Sequence, residues 1–452
     1  MQAWLKMSAA DLGRGIASGE IDAVALTETY LNAIDTHPMR DRIYARVTHD
    51  RARSEARAAA ARAKSGQRIS PLDGVPISWK DLFDTAGVKT EAGSKLLKGR
   101  TPDQDARVLI NATSMGLVCL GKTHMSELAF SGLGHNPSTA TPPCVNDPDA
   151  VAGGSSSGAA ASVAFGLAAA AVGSDTGGSV RIPAAWNDLV GLKTTAGRIS
   201  LEGVVPLALK FDTVGPLCRT VEDAALMLAA LEGTASADMA GASIRGKRFG
   251  ILGTVAQSDV REEPLDAFQR SIIKLHTAGA RATVIEVPEI EKAMTLTACL
   301  YTTEAYGLWR DVIEANPDAM YSEILERFRL GQKHSGADYV AAWAALEAVR
   351  VAYDQATAGF DAILLPTSPI LPPNLERLNN DHGYYVSENL MALRNTRIAN
   401  LMGLCALTVP TGDPSCGLTL MGSHGMEEAV LRLGVGVSEA LAQKSQKGTK
   451  LV

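Results

Sequence analysis

The fold of this chain is organised around one stretch, residues 153–183, which reads GGSSSGAAASVAFGLAAAAVGSDTGGSVRIP. It holds two glycine–serine clusters, at residues 153–158 and 177–179, separated by a run of small apolar residues. Glycines let the backbone approach a ligand, and successive backbone N–H groups in such a turn can hold an anion. Serine hydroxyls beside such groups suit acyl transfer, which needs a nucleophile next to donors for the developing oxyanion. The alternative interpretation is a small-residue helix with glycine caps, packed in the core.

Length and composition indicate a globular protein with ample material for a core. The chain has 452 residues, 46% of them hydrophobic and 20% charged, which is ordinary for soluble proteins. That length suggests two or three domains, although large α/β enzymes often remain one compact body. The net charge of −6 argues against a nucleic-acid surface, so we expect no direct nucleic-acid partner.

Cysteines and histidines give little support to a disulfide framework, a metal site or a cofactor. The eight histidines show no paired-ligand spacing, and the six cysteines show no CxxC spacing. The N-terminus lacks the pattern of a signal peptide, and no apolar run reaches bilayer length. We therefore expect a cytoplasmic protein without metal, cofactor or membrane contact, and with free thiols at Cys119, Cys144, Cys218, Cys299, Cys405 and Cys416.

Hydrophobic periodicity predicts an α/β fold, because helices and strands alternate along most of the chain. Strands are predicted at residues 75–79, 117–121, 190–193, 248–253, 283–287, 361–366, 405–410 and 417–422. Helices are predicted at residues 9–18, 24–35, 50–64, 105–116, 123–130, 220–231, 264–278, 290–314, 321–330, 337–357, 387–401 and 426–442. Strands recur on both sides of a helical insertion at about 288–358. We therefore expect one continuous sheet in a single domain over residues 1–452.

A serine nucleophile needs a base, and the sequence offers a lysine for that role. There is no GxSxG elbow and no histidine close to either serine cluster, so a Ser–His–Asp triad is unsupported. Lys80 directly follows the apolar strand at 75–79, which would carry it into the interior. A buried lysine can be a neutral base, because burial lowers its pKa. The alternative is a strand-end lysine that reaches back to solvent.

Seven motifs give the chain a resemblance to the amidase signature family of serine amidohydrolases, and they lie mostly within a core region of about 70–220. They are GVPISWKD (74–81), GKTHMSE (121–127), GGSS (153–156), GSDTGGSVRIP (173–183), GLK (191–193), DTVGP (212–216) and LPT (365–367). The resemblance covers nearly the whole chain. It implies a single compact domain with a central mixed β-sheet covered on both sides by helices.

The resemblance also implies a Ser–Ser–Lys triad. Ser179 matches the nucleophile, Ser155 matches a bridging serine held by a cis peptide bond, and Lys80 matches the base. The backbone N–H groups of Thr176, Gly177, Gly178 and Ser179 would form the oxyanion hole. These assignments predict a carboxamide hydrolase that works through an acyl-enzyme on Ser179, without metal or cofactor.

The chain departs from the family pattern close to these motifs. Ser157 replaces a frequent glycine, Trp186 and Asn187 lie within a Trp-Asn-Asp run where Phe-Cys-Gly is usual, and Thr194 replaces a proline. None of these changes removes a residue of the implied triad. We interpret Asp175 and Arg181, on either side of the nucleophile loop, as a structural ion pair.

The resemblance says less about the substrate and the partners. Arg327 resembles the position at which glutaminase subunits of tRNA-dependent amidotransferases grip a substrate carboxylate, and Arg397 is a second candidate for an anionic substrate. Either could equally be an ordinary helix arginine. The predicted substrate is a small amide, and a homodimer or a small accessory subunit is compatible with the family. The alternatives are the glutaminase component of an aminoacyl-tRNA amidotransferase complex and a catalytically silent binding protein.

Overall fold

Eleven strands of the part of the chain that the structure describes form one mixed sheet. The structure is a computed structural model and describes residues 2–443. The strands lie in the order β1-β3-β2-β4-β6-β5-β10-β11-β9-β7-β8. They are β1 (Tyr44–Val47), β2 (Pro76–Lys80), β3 (Val118–Thr123), β4 (Ala170–Ser174), β5 (Val190–Lys193), β6 (Val214–Cys218), β7 (Arg248–Leu252), β8 (Arg281–Ile285), β9 (Ala362–Pro366), β10 (Ala406–Pro410) and β11 (Gly417–Met421).

Helices flank this sheet, and several begin at the caps that their sequences predict. Ser8 accepts a hydrogen bond from the Asp11 N–H, and Thr220 forms a reciprocal capping box with Asp223. The α-helices are α1 (Ala9–Ser18), α2 (Ala23–Thr36), α3 (Arg40–Ile43), α4 (His49–Lys64), α5 (Arg107–Ser114), α6 (Ser157–Ala164), α7 (Arg181–Trp186), α8 (Val221–Glu232), α9 (Thr254–Gln257), α10 (Glu262–Thr277), α11 (Glu289–Thr295), α12 (Thr303–Ala315), α13 (Ser322–Arg329), α14 (Gly336–Thr357), α15 (Leu375–Asn380), α16 (His382–Leu401) and α17 (Glu427–Ala442). The prediction of an α/β fold with a mixed sheet flanked by helices is confirmed.

The strands pair in a way that brings distant segments together. β2 lies between β3 and β4 and is parallel to both. At the other side of the sheet β7 is parallel to β8 and β9, whereas the pairs between β4 and β9 are antiparallel. No strand lies between β8 and β9 in the described residues, where α11 to α14 follow one another.

Two local predictions are wrong. Residues 123–130 are not an α-helix: β3 extends to Thr123, and only a short 3-10 turn follows, with Leu128 and Ala129 at positive φ. Tertiary contacts override the helical pattern there, because the carboxylate of Glu127 accepts from Ser94 Oγ at 2.7 Å and from the Tyr321 N–H at 2.9 Å.

The small-residue run between the serine clusters is the second correction. It is not one helix, since α6 ends at Ala164 and the chain returns through β4 in the middle of the sheet. A strand that is buried on both faces has no apolar–polar alternation, so its sequence cannot be told from a buried helix. Strands β1 and β6 were likewise not predicted.

Candidate active site

Lys80 is the last residue of β2 and is buried at the carboxyl end of that strand. Its Nζ donates to Ser155 Oγ at 2.7 Å and to Ser174 Oγ at 2.8 Å. Ser174 is the last residue of β4, and the register pairs Trp79 of β2 with Val172 of β4. The carboxyl ends of two parallel strands therefore bring the lysine and this serine together.

Burial lowers the pKa of Lys80 to about 7, although the charges of Asp212 and Asp175 act in the opposite direction. The hydrogen-bond partners of its Nζ are hydroxyl groups, which do not stabilise an ammonium as a carboxylate would. The lowered pKa favours the neutral amine, the form that can accept a proton.

Ser155 stands at the entrance to α6, in a loop fixed by its neighbours. The Gly154–Ser155 peptide bond is cis, as the resemblance implies. The Ser155 carbonyl accepts from the Ser126 N–H at 3.1 Å, and the Ser156 N–H donates to the Ser179 carbonyl at 3.2 Å. The second of these bonds joins the two glycine–serine clusters near the end of β4.

The loop that carries Ser179 is built around the buried Asp175–Arg181 ion pair. Arg181 Nε lies 3.0 Å from Asp175 Oδ2, and the Asn400 amide donates to Asp175 Oδ1 at 2.9 Å. Burial alone would raise the pKa of Asp175, but Arg181 lowers it to about 2. This carboxylate is therefore ionised throughout the physiological range, and the ion pair is structural, as the sequence indicated.

The oxyanion-hole prediction needs one correction. The Gly178 N–H donates to Asp175 Oδ1 at 2.8 Å, so it points into the loop and not at a ligand. In residues 2–443 the backbone N–H groups of Thr176, Gly177 and Ser179 make no hydrogen bond, and all three residues line the same cavity. These three donors remain available to an oxyanion.

That cavity has a volume of about 330 Å³ and is open to solvent. One wall is the loop that carries Ser179, and a second is the segment from Ala129 to Ser131. Helices α13 and α16 and the turn at Ala298–Thr302 complete it. The site therefore combines residues of the motif region with residues of the helical segment that follows β8.

Both predicted substrate-binding arginines line the cavity. Arg327 on α13 places its guanidinium 4.5 Å above the ring of Phe130, and its Nη1 is buried without a hydrogen-bond partner in the described chain. Burial and the charge of Arg397 lower the pKa of Arg327 to about 10. Neither arginine pairs with a carboxylate within residues 2–443. Two guanidinium groups thus face the cavity without a salt-bridge partner in residues 2–443, although Glu323 and Glu326 also line it.

Three residues at the cavity rim have side chains that can bind a metal ion, and the sequence did not reveal this cluster. Glu323 and Glu326 on α13 and His382 at the start of α16 place ligand atoms within 4.8 Å of one another. His382 Nδ1 and Glu323 Oε1 are 2.5 Å apart, and Glu326 and His382 are exposed. Their sequence spacing gave no signal, because the histidine comes from a different helix.

Two of the departures from the family pattern, Trp186 and Asn187, serve packing. Trp186 is buried, and its Nε1 donates to the Ile370 carbonyl at 3.1 Å. The Asn187 amide donates to the carbonyls of Ala152 and Pro183, each at 2.8 Å. Neither residue lines the cavity.

A family model described as Amidase matches residues 25–431. The chain belongs to the amidase family. Members of this family act on small amide substrates, and this amidase is a hydrolase of carbon–nitrogen bonds other than peptide bonds. Among residues 2–443, none of the helices combines the length and the apolar character that crossing a membrane requires.

Relatives of this amidase match it over nearly their full length. A 2-amino-5-chloromuconic acid deaminase of Comamonas testosteroni is 34% identical, covering 97% of this chain and 96% of the relative. The A subunit of the glutamyl-tRNA(Gln) amidotransferase of Thermobifida fusca (strain YX) is 31% identical, covering 97% of each chain. A crystal structure of an amidase is 31% identical with a TM-score of 0.86, covering 96% of this chain and 99% of that one.

Proposed function

We propose that this amidase cleaves a carboxamide through an acyl-enzyme on Ser179, with Ser155 as proton relay and Lys80 as base. The observation that carries the proposal is the hydrogen bond of 2.7 Å from the buried Lys80 amine to Ser155 Oγ. The loop that carries Ser155 lies beside the loop that carries Ser179, because the Ser156 N–H donates to the Ser179 carbonyl. As Ser179 Oγ attacks the carbonyl carbon, its proton passes to Ser155 and the Ser155 proton passes to neutral Lys80. The N–H groups of Thr176, Gly177 and Ser179 stabilise the oxyanion.

The second half of the reaction reverses the relay. The tetrahedral intermediate collapses, the carbon–nitrogen bond breaks, and the leaving nitrogen takes the proton back through Ser155. Water then attacks the acyl-enzyme with Lys80 again as base, which releases the carboxylate and restores the Ser179 hydroxyl. Atoms and charges balance without a metal or cofactor in this scheme.

The substrate in this proposal is a small amide that carries a carboxylate. Arg327 and Arg397 face the same cavity as Ser179 and lack a carboxylate partner in the described chain. A guanidinium binds a carboxylate through two parallel hydrogen bonds. The name of the Comamonas testosteroni relative, a deaminase of 2-amino-5-chloromuconic acid, agrees with an acidic substrate.

Ammonia release from a panel of neutral and carboxylate-bearing amides tests the proposal. We expect release by the unaltered protein and a loss of at least 10³-fold in Ser179→Ala and Ser155→Ala. Ser157→Ala is the matched control, because Ser157 lies two residues away and donates only to the His124 carbonyl, at 3.5 Å. A fluorophosphonate probe should label the unaltered protein and not Ser179→Ala. Ammonia release that survives Ser179→Ala would show that another residue is the nucleophile.

We propose that the protein is active alone and is not the glutaminase subunit of an amidotransferase complex. A deaminase and an amidase match the chain as fully as the amidotransferase relatives do, and the cavity beside Ser179 is lined by residues of this chain alone. Light scattering of the purified protein and its ammonia release without added partner proteins test this. Activity that appears only with co-purified partners would favour the glutaminase alternative.

A further inference from the structure

One buried carboxylate of the motif region has no role in the proposed relay. Asp212 belongs to the DTVGP motif before β6 and is 6% exposed. Its Oδ1 accepts from Thr176 Oγ1 at 2.5 Å. Its Oδ2 accepts from the N–H groups of Leu207 and Ala208, at 2.9 and 3.1 Å. Within residues 2–443, no lysine, arginine or histidine pairs with it.

These bonds connect two parts of the site. Thr176 contributes one of the three free oxyanion donors, and Leu207 lines the cavity wall. The next residue strengthens the connection, since Thr213 Oγ1 donates to the Asp175 carbonyl at 2.6 Å and the Asp175 N–H donates to the Thr213 carbonyl at 2.8 Å. Residues 212–213 therefore hold the donor loop in place against the cavity wall.

The charge of Asp212 also acts on the proposed base. Asp212 and Asp175 are the two carboxylates that favour the ammonium form of Lys80. Asp175 is already paired with Arg181, whereas the hydrogen-bond donors to Asp212 are neutral groups. Burial raises the pKa of Asp212 to about 6, with Glu304 on α12 as a further negative charge. Asp212 therefore has no directly paired cation in residues 2–443, and its ionised form favours the ammonium form of Lys80.

We infer that Asp212 is a positioning residue of the amide hydrolysis, which holds the Thr176 oxyanion donor and stabilises the Lys80 ammonium formed when Ser179 attacks. This inference rests on the proposed function. The two tasks can be compared by substitution, because Asp212→Asn removes the charge entirely, whereas Thr176→Val removes one hydrogen bond to the carboxylate and thereby raises the pKa of Asp212.

The test measures kcat, KM and the pH–rate profile of both variants. Removing the Asp212 charge disfavours the Lys80 ammonium, so the pKa of Lys80 falls and the lysine is neutral at lower pH. We expect Asp212→Asn to lower kcat about 10- to 100-fold and to move the acid limb of kcat by about half a pH unit or more to lower pH. We expect Thr176→Val to lower kcat about tenfold with a KM within about threefold, and to move the acid limb less than Asp212→Asn does, because the carboxylate is weakened as an anion but not removed.

Asp223→Asn is the matched control, because Asp223 is a buried carboxylate that caps α8 and accepts from the Ala10 N–H at 2.8 Å. It should reduce stability without moving the acid limb. An acid limb in Asp212→Asn equal to that of the unaltered protein, or a kcat per folded molecule that is unchanged, would overturn the inference. Failure of the proposed function gives a different result, namely turnover that survives Ser179→Ala.

Discussion

Replacing Lys80 by methionine should abolish activity and at the same time stabilise the folded protein at neutral pH. The lysine is buried, and its amine has hydroxyl partners, so the folded state disfavours its charge. Methionine has a similar length and no charge. A residue kept for chemistry at the expense of stability should show this pair of effects.

The magnitude follows from the pKa of Lys80, which burial lowers from 10.5 to about 7. The unfolded chain binds a proton at Lys80 up to about pH 10.5, but the folded protein does so only below about pH 7. The folded state is therefore destabilised by about 4–5 kcal/mol at pH 7 and below, and this penalty disappears as the pH rises towards 10.5. Losing the hydrogen bonds to Ser155 and Ser174 costs about 1–1.5 kcal/mol each, which leaves a net gain of about 2 kcal/mol at pH 7.

The assay is denaturant unfolding of both proteins at pH 7 and pH 10, together with amide turnover at pH 7.5. We expect Lys80→Met to be the more stable protein at pH 7 and the less stable one at pH 10. Lys122→Met is the contrasting variant: this buried lysine lies 3.4 Å from Asp81 Oδ1, so its removal leaves that buried carboxylate with Arg46 as its remaining cation and should destabilise at pH 7. A stability difference between Lys80→Met and the unaltered protein that does not change with pH, or turnover above a tenth of normal, would refute the reasoning.

Three further substitutions test other parts of the site. Ser174→Ala removes one of the two hydroxyls bonded to Lys80 and should lower kcat about tenfold with KM nearly unchanged, in steady-state kinetics. Arg397→Leu should raise KM for a carboxylate-bearing amide about 10- to 100-fold and leave KM for its neutral analogue within about twofold. Gly178→Ala should destroy Ser179 labelling by a fluorophosphonate, because a Cβ there would lie 2.0 Å from Thr396 Oγ1 at a φ of +137°.

Local signals in the sequence predicted most of the elements. The caps at Ser8 and Thr220 and the apolar strand before Lys80 are features of a few consecutive residues, and they appear where expected. β4 could not be recognised in the same way, because a doubly buried strand of small residues lacks a period. The order of the strands depends on pairings between segments far apart in the chain, which no local pattern encodes.

The residues of the candidate site differ in the same way: some could be predicted from the local sequence and others could not. Lys80, Ser155 and Ser179 stand in motifs that mark them individually. Ser174 does not: its role depends on β4 being parallel to β2 in one register, and nothing in the sequence distinguishes it from the neighbouring serines. The engagement of the Gly178 N–H by Asp175 likewise depends on how one loop is folded.

The cavity is built from two parts of the chain, the loop that carries Ser179 and the helices after β8. This arrangement affects which substitutions can change the substrate range of the enzyme. The groups of the proposed chemistry stand between residues 80 and 213, whereas α13, which carries Arg327, follows β8 in the chain. Substitutions on α13 should therefore change which acyl group the cavity accepts and leave the hydrolytic step intact. Libraries directed at residues 323–330 should yield enzymes with new substrate ranges and an intact Ser179 reactivity towards fluorophosphonates.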